Sequence, residues 1–381
     1  MMTQPPLSLY IHIPWCIKKC PYCDFNSHQQ PAVLPASAYI QALIDELDQH
    51  LSPSLQKRPL HSIFIGGGTP SLLEAAHYER LFAAIRERFD CIDGMETTLE
   101  ANPGTRDQTR FKGYRQAGIN RLSIGVQSLH NTQLKALGRV HDAQTAIAAV
   151  KDAQDAGFER INLDLMFALP KQTPEEAIQD LQRAIALSPS HLSWYHLTIE
   201  PNTLFFHSPP PRPDEAQVED MQTQGEALLH AAGFEQYEVS AYAKNKNYCQ
   251  HNLNYWSFGD YLGIGAGAHS KISLQDTQTI QRHWNVKNPR DYLNPSKAFV
   301  ANRKVLPDAD KPLEFMMNAC RLKQAIPISL FEARTGLAAK KIEPPILEAI
   351  QLGLLTTSQT HWTVTARGHR YLNELLGLFL N

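Results

Sequence analysis

Three cysteines stand within eight residues, Cys16-Ile-Lys-Lys-Cys20-Pro-Tyr-Cys23, directly after a β-rich run. Thiolates are soft ligands that suit iron–sulfur clusters and zinc. Structural zinc usually takes one Cys pair with a second pair some way off. No second pair is visible here, although a distant Cys or His completing a zinc site stays open as the alternative. A [4Fe–4S] cube needs four attachments, so three local thiolates leave one iron open to an outside ligand. The other cysteines, Cys91, Cys249 and Cys320, are scattered and read as buried residues. A disulfide framework is not expected in a large chain without a secretory signal.

Further chemistry-bearing residues recur at intervals. Gly66-Gly67-Gly68-Thr69-Pro70 is a run whose backbone can approach a charged amino-acid group closely. Glu100 lies in Leu-Glu-Ala-Asn-Pro, and a carboxylate suits vicinal hydroxyls because it accepts two hydrogen bonds. Arg139 suits a carboxylate. Gln127 and Asp164 end two further β-rich runs. Read by themselves, these are also ordinary solvated or salt-bridged strand-end residues. Gly263-Ile-Gly265-Ala-Gly267-Ala-His269 has the wrong spacing for a dinucleotide fingerprint; it suits close backbone approach at an adenine or at a barrel mouth.

The elements that must position these residues alternate. Strands are expected over Leu7–Ile13, Ser62–Ile65, Thr97–Ala101, Arg121–Val126, Arg160–Met166 and His191–Leu197. Helices are expected over Ala38–Leu51, Leu72–Arg88, Ala143–Ala156 and Pro174–Leu187, the last with Thr173 as cap and Pro174 at its first position. Strand-then-helix repeats imply parallel strands with right-handed crossovers. The fold class is α/β, an open or partial (β/α)6 barrel. In such sheets ligands gather at the C-terminal strand ends, where Gly66–Pro70, Glu100–Pro103, Gly125–Ser128 and Asp164–Pro170 all fall. Ser208–Pro213 reads as a surface connection.

The pattern changes near Pro289, so domains are expected over 1–288 and 289–381. The second holds helices Ile328–Thr335 and Glu343–Leu352, a hairpin near Leu354–Val364 and a last helix Arg367–Leu378, a small winged-helix-like α+β module. Glu343–Leu352 contains no Lys or Arg, which argues against DNA binding. The net charge is −2, and no run of 18 apolar residues occurs. The N-terminus lacks a basic region followed by an apolar stretch. The compartment expected is the cytoplasm.

Cys-x3-Cys-x2-Cys with Tyr22 inside it, preceded by Leu9-Tyr10-Ile11-His12-Ile13-Pro14-Trp15, resembles the radical-SAM superfamily in its HemN/HemW branch. The resemblance covers most of the chain, including the C-terminal module. It implies a [4Fe–4S] cluster on Cys16, Cys20 and Cys23 whose open iron chelates S-adenosylmethionine (SAM). It further implies SAM contacts from Tyr10, Tyr22, Gly67, Gly68, Thr69, Glu100, Gln127, Arg139 and Asp164.

That branch holds two activities. One is oxygen-independent coproporphyrinogen III dehydrogenase; the other is a haem chaperone that delivers haem to haem proteins such as respiratory enzymes. The dehydrogenases typically carry a fourth cysteine two residues after the triad, where this chain has Phe25. They also carry a long N-terminal extension, whereas about six residues precede the first strand here, too few to span a mouth of about 20 Å and fold back. His251-Asn-Leu-Asn-Tyr255-Trp256 matches a motif associated with the chaperones. The expectation is a haem chaperone with haem at His251, an imidazole being a common axial ligand, and with Tyr255 and Trp256 against the porphyrin. Cys249 is an alternative ligand, and the dehydrogenase the alternative function; whether the chain is an enzyme stays open. The segment Arg282–Lys304 has six Lys or Arg against one acid, Asp291. Haem propionates, a partner protein, anionic lipid or plain solvation would each suit it. The sequence leaves room for a homodimer and for peripheral membrane association, and it gives no sign of nucleic-acid binding.

Overall fold

In the first strand, Leu7, Leu9, Ile11 and Ile13 alternate with Ser8, Tyr10 and His12. Successive side chains of a strand point to opposite faces. The aliphatic set is buried in the main core, which leaves the polar set on the other face, inside a curved sheet. The computed structural model describes residues 2–104 and 107–380. Six parallel strands form the arc: β1 (Leu7–Ile13), β2 (Leu60–Gly67), β3 (Cys91–Ala101), β4 (Arg121–Gln127), β5 (Arg160–Phe167) and β6 (His191–His196).

The arc does not close into a barrel. Beyond β6 lie β7 (Glu235–Glu238) and β8 (Ala241–Ala243), and β8 pairs antiparallel with β6. On the opposite edge β1 pairs with β9 (Asp260–Ile264), which leads into β10 (His269–Leu274), β11 (Thr279–Asn285) and β12 (Val300–Val305). The 12-stranded order is β12-β11-β10-β9-β1-β2-β3-β4-β5-β6-β8-β7. Both edges of the six-strand arc are thus taken by other strands, and the partial (β/α)6 arrangement stays open.

Helices cover the outer face. Helix Ala36–His50 buries Tyr39, Ile40, Leu43, Ile44 and Leu47, the spacing of one helical stripe. Helix Pro174–Ala186 opens on a capping box between Thr173 and Glu176. It also carries buried Asp180, which accepts from Ser128 Oγ and Leu129 N, both at 2.6 Å. That anchor fixes the turn after β4, where Gln127 adopts φ 67°.

The division expected after residue 288 falls between β11 and β12, and β12 still bonds to the large sheet. A second core gathers Leu306, Phe315, Phe331, Ile346, Trp362 and Leu375, together with Phe258 and Ile280 from the main unit. Its three-stranded sheet is ordered Ile326–Pro327, His361–Val364, Leu355–Thr357. The single last helix expected there is two, Ala366–Arg370 and Leu372–Gly377. Gly368 is pressed against the Leu354 carbonyl, where a Cβ would come within 2.1 Å. The first helix is pinned on the hairpin, and the chain turns at Tyr371 so that Leu375 and Phe379 reach the core. Among the described residues no helix is long and apolar enough to cross a membrane.

Candidate cluster and cofactor site

The chain leaves β1 at Pro14 and pairs Trp15–Cys16 with His28–Gln29. This closes a loop that presents Cys16, Cys20 and Cys23 above the sheet's C-terminal edge. His12 Nε2 lies 2.9 Å from the Asn26 carbonyl and ties the far end of the loop to β1. Gly68 N and Thr69 N donate to the Ile13 and Trp15 carbonyls, each at 2.7 Å. A Cβ on Gly68 would meet the Trp15 carbonyl oxygen at 2.5 Å, so only glycine permits this approach.

Each thiol has a polar neighbour. Thr69 Oγ1 lies 3.5 Å from Cys16 Sγ, Ser27 Oγ 3.6 Å from Cys23 Sγ, and Arg139 Nη1 3.6 Å from Cys20 Sγ. Burial raises the Cys16 and Cys23 thiols, while the bonds from Thr69 and Ser27 pull them down. Metal binding would release those protons. Among the described residues no three His, Cys, Asp or Glu side chains close on a single ion. Three local thiolates suit ligands to separate irons of one cluster, with a further iron left open to an outside ligand.

Below the thiols opens a cavity of about 440 Å³. Cys16, Cys20, Tyr22, Cys23, Gly67, Gly68, Glu100, Gln127, Arg139 and Asp164 all line it, so ten of the residues read from the sequence converge there. Glu100 Oε2 accepts from Gly67 N at 3.0 Å. Burial, then the charge of Asp164, pushes its pKa up to about 8. Asp164 accepts from Asn162 Nδ2 at 2.8 Å and Ser123 Oγ at 3.1 Å, and burial raises it to about 6 despite those bonds. Arg139 donates to the Gly125 carbonyl and to Asn102 Oδ1. Its buried Nε finds no acceptor among the described residues. An unpaired buried donor is costly, and a ligand carboxylate would satisfy it. Thiolates, a glycine cradle, an unpaired guanidinium nitrogen and a carboxyl acceptor together fit a [4Fe–4S] cluster with SAM.

Two expected contacts do not line the cavity. Thr69 stands behind Cys16 and accepts from Asn102 Nδ2 at 2.7 Å. Tyr10 lies lower in the arc, hydrogen-bonded to His12 Nδ1 at 3.0 Å and packed near Phe64. Conversely, Asn102, Ser193, Tyr195 and His196 line the cavity and escape the sequence reading. Asn102 sits two residues after Glu100, and Ser193 and Tyr195 share one face of β6. The period-2 alternation that places Glu100 would also have found them. The Gly263–Gly267 run approaches protein: a Cβ on Gly265 would meet the His12 carbonyl at 2.4 Å, and one on Gly267 would meet Asn26.

His251 lies at the opposite end of the arc. It belongs to helix Gln250–Trp256, which covers the N-terminal strand ends. Its Nδ1 is 3.1 Å from Ser62 Oγ, its backbone N donates to buried Glu96, and its ring packs on Phe64. Burial lowers its pKa to about 3, so the imidazole is neutral. Tyr255 rests on Tyr261, and Trp256 lies under Arg321. The motif thus caps the N-terminal end of the arc, with its imidazole turned inward and buried while Tyr255 and Trp256 stay half-buried. Cys249 is also buried, 3.4 Å from Glu96 Oε1.

Residues 10–184 match the radical SAM superfamily, and residues 306–371 match the HemN C-terminal domain. The chain is 50% identical over 383 aligned positions to a protein of Haemophilus influenzae named "Heme chaperone HemW", covering 100% of this chain and 99% of that one. It is 49% identical to the protein of the same name from Escherichia coli, covering all of both chains. A Bacillus subtilis protein of that name is 33% identical over 98% of this chain and 99% of its own. The solved coproporphyrinogen III oxidase (HemN) of Escherichia coli, described as a radical SAM enzyme, superposes with a TM-score of 0.82. It is 24% identical and covers 99% of this chain and 90% of that one. At that identity the likeness speaks for the fold.

Proposed function

We propose, from the premise that this chain belongs to the HemW family within the radical SAM superfamily, that it is a haem chaperone: it binds haem as cargo and hands it to haem proteins. The observation that carries this reading is identity of 49–50% along the full length to proteins bearing that name. Phe25, where the dehydrogenases of the branch carry a further cysteine, points the same way.

The reading includes a [4Fe–4S] cluster on Cys16, Cys20 and Cys23 with SAM beside it. When bound, the cluster supplies an open iron for the amino and carboxylate groups of SAM and a source of single electrons. The chain's own residues do the holding. Arg139 Nε meets the carboxylate, Gly67 and Gly68 give backbone groups to the amino end, and Glu100 accepts from the ribose hydroxyls. Gln127, Asp164 and Tyr22 line the remainder, with Tyr10 and Thr69 bracing it from behind. Ser62 holds Nδ1 of His251, which leaves Nε2 as the nitrogen for an iron, and the buried ring presents it once the helix Gln250–Trp256 moves off the strand ends. The setting we propose is the cytoplasm, with respiratory haem enzymes among the recipients.

The rival reading is a porphyrin-modifying enzyme on the same scaffold. Anaerobic incubation of the reconstituted protein with coproporphyrinogen III, SAM and a reductant separates the two. The chaperone reading expects no carbon dioxide and no vinyl product. Release of both at turnover rates would replace it by the dehydrogenase.

A further inference from the structure

A buried hydrogen-bonded column runs down the inside of the arc, from the cavity at the C-terminal strand ends to the helix at the N-terminal ends. Alternate residues of a strand share one face, and the register of β4, β5 and β6 sets Ser123, Asn162 and His191 in one row, with Asp164 and Ser193 in the row above. At the top, Asp164 Oδ1 accepts from Asn162 Nδ2 at 2.8 Å. Asn162 Oδ1 faces His191 Nδ1 at 2.6 Å, and His191 Nε2 faces the Tyr237 hydroxyl at 2.9 Å. The Tyr237 oxygen accepts from the backbone N of Cys249 at 3.3 Å. Cys249 immediately precedes the helix Gln250–Trp256, and its Sγ donates to Glu96 Oε1, which also accepts from His251 N at 3.2 Å. Asn162, His191, Tyr237, Cys249 and Glu96 are all buried.

The donors have one direction. Only the amide nitrogen of Asn162 can face a carboxylate, so its oxygen faces His191, and Nδ1 carries the imidazole proton. Burial, then the charges of Arg121 and Arg160, holds His191 well below its ordinary pKa, so Nε2 is an acceptor and takes the Tyr237 hydroxyl hydrogen. The Tyr237 oxygen is left to accept from Cys249. Each donor from Cys249 N upward therefore points along the column to Asp164. Bonds aligned on a charge strengthen one another. The cationic sulfonium of SAM favours an ionised Asp164 in the shared cavity, and a ligand packed on that carboxylate fixes the orientation that Asn162 already uses. The lower end is the part that must yield. The His251 ring meets an iron when its helix leaves the strand ends, and leaving parts Cys249 N from Tyr237 and His251 N from Glu96. Two sites that bias one two-state element are coupled, and the coupling is reciprocal.

We propose that Asn162, His191 and Tyr237 are positioning residues that couple the SAM pocket to the helix Gln250–Trp256, so that SAM holds the helix closed and opposes haem, acting as a signal for haem release. This rests on the haem-carrier reading and names the regulation of its site. The test is haem titration of the full-length, anaerobically reconstituted protein with and without saturating SAM, followed at the Soret band with iron content assayed alongside. In wild type SAM should weaken haem at least about fivefold, and haem should weaken SAM by the same factor. Tyr237→Phe removes one hydroxyl group. It should keep its cluster iron and its SAM affinity in the absence of haem, and SAM should change its haem affinity less than about twofold. His191→Phe should behave likewise, whereas His191→Gln, with a donor and an acceptor on one side chain, should restore coupling. A packing role would change stability in these variants without changing the ratio of the two haem affinities. Wild-type haem affinity that SAM leaves unchanged or raises would overturn the proposal, as would full coupling in Tyr237→Phe and His191→Phe; either result leaves the chaperone reading standing. No saturable haem binding by wild type would instead remove that reading, and this coupling with it.

Discussion

Cys16→Ala, Cys20→Ala and Cys23→Ala should each leave the anaerobically reconstituted protein with far below the about four irons of a complete cube, and with no SAM bound at concentrations that saturate wild type. The effect is near total because the loop offers three thiolates and the rest of the chain offers no replacement. Cys249 is buried at the opposite strand ends, Cys320 lies in the core of the C-terminal module, and Cys91 begins β3. Cys249→Ala is the matched control and should keep its iron and sulfide. A triad variant that retained the full complement would show that the cube is held elsewhere.

Glu100→Gln should weaken SAM about 10- to 100-fold, the value of a hydrogen bond to a charged acceptor, while making the ligand-free protein more resistant to unfolding at pH 7 to 8. The two effects have opposite signs for one reason. Burial beside Asp164 raises the Glu100 carboxyl to about 8 in the ligand-free pocket, above its ordinary 4.5. As pH rises from 4.5 toward 8, the unfolded chain ionises this carboxyl first, so the folded state loses stability across that window. Glutamine removes the penalty. SAM carries a cationic sulfonium and donates hydroxyl hydrogens, so it favours the ionised carboxylate, and binding expels a proton below about pH 8. Wild-type affinity should therefore rise as pH goes from about 6 to 8, and the variant's should be flatter. Calorimetric titration in buffers of different ionisation enthalpy reads the proton directly. An unchanged affinity with the wild-type pH profile would take Glu100 out of the SAM contact.

The cysteine triad is legible in sequence because its spacing is local and its chemistry narrow. The six parallel strands are legible because alternation, as in Leu7–Ile13, and capping, as at Thr173, are local too. What depends on distant partners is not. Strands β8 and β9 are short and owe their place to β6 and β1. Asp260 and Lys271 are buried together only because β9 and β10 fold back and Arg58 joins them. The motif His251–Trp256 shows its residue types but not its direction. Its helix faces inward because Ser62, Glu96 and Asn254's partner Ser8 hold it there.

The most direct test of the haem-carrier reading is transfer itself. Haem-loaded, cluster-bearing protein is mixed anaerobically with an excess of an apo haem protein, with and without SAM, and the acceptor is separated and assayed for haem and activity. Stoichiometric movement of haem into an active acceptor, faster than release of haem to a non-protein scavenger, is the expected result. Haem that stays bound, or that leaves no faster than it does to the scavenger, would contradict a chaperone and leave a radical SAM scaffold with another task.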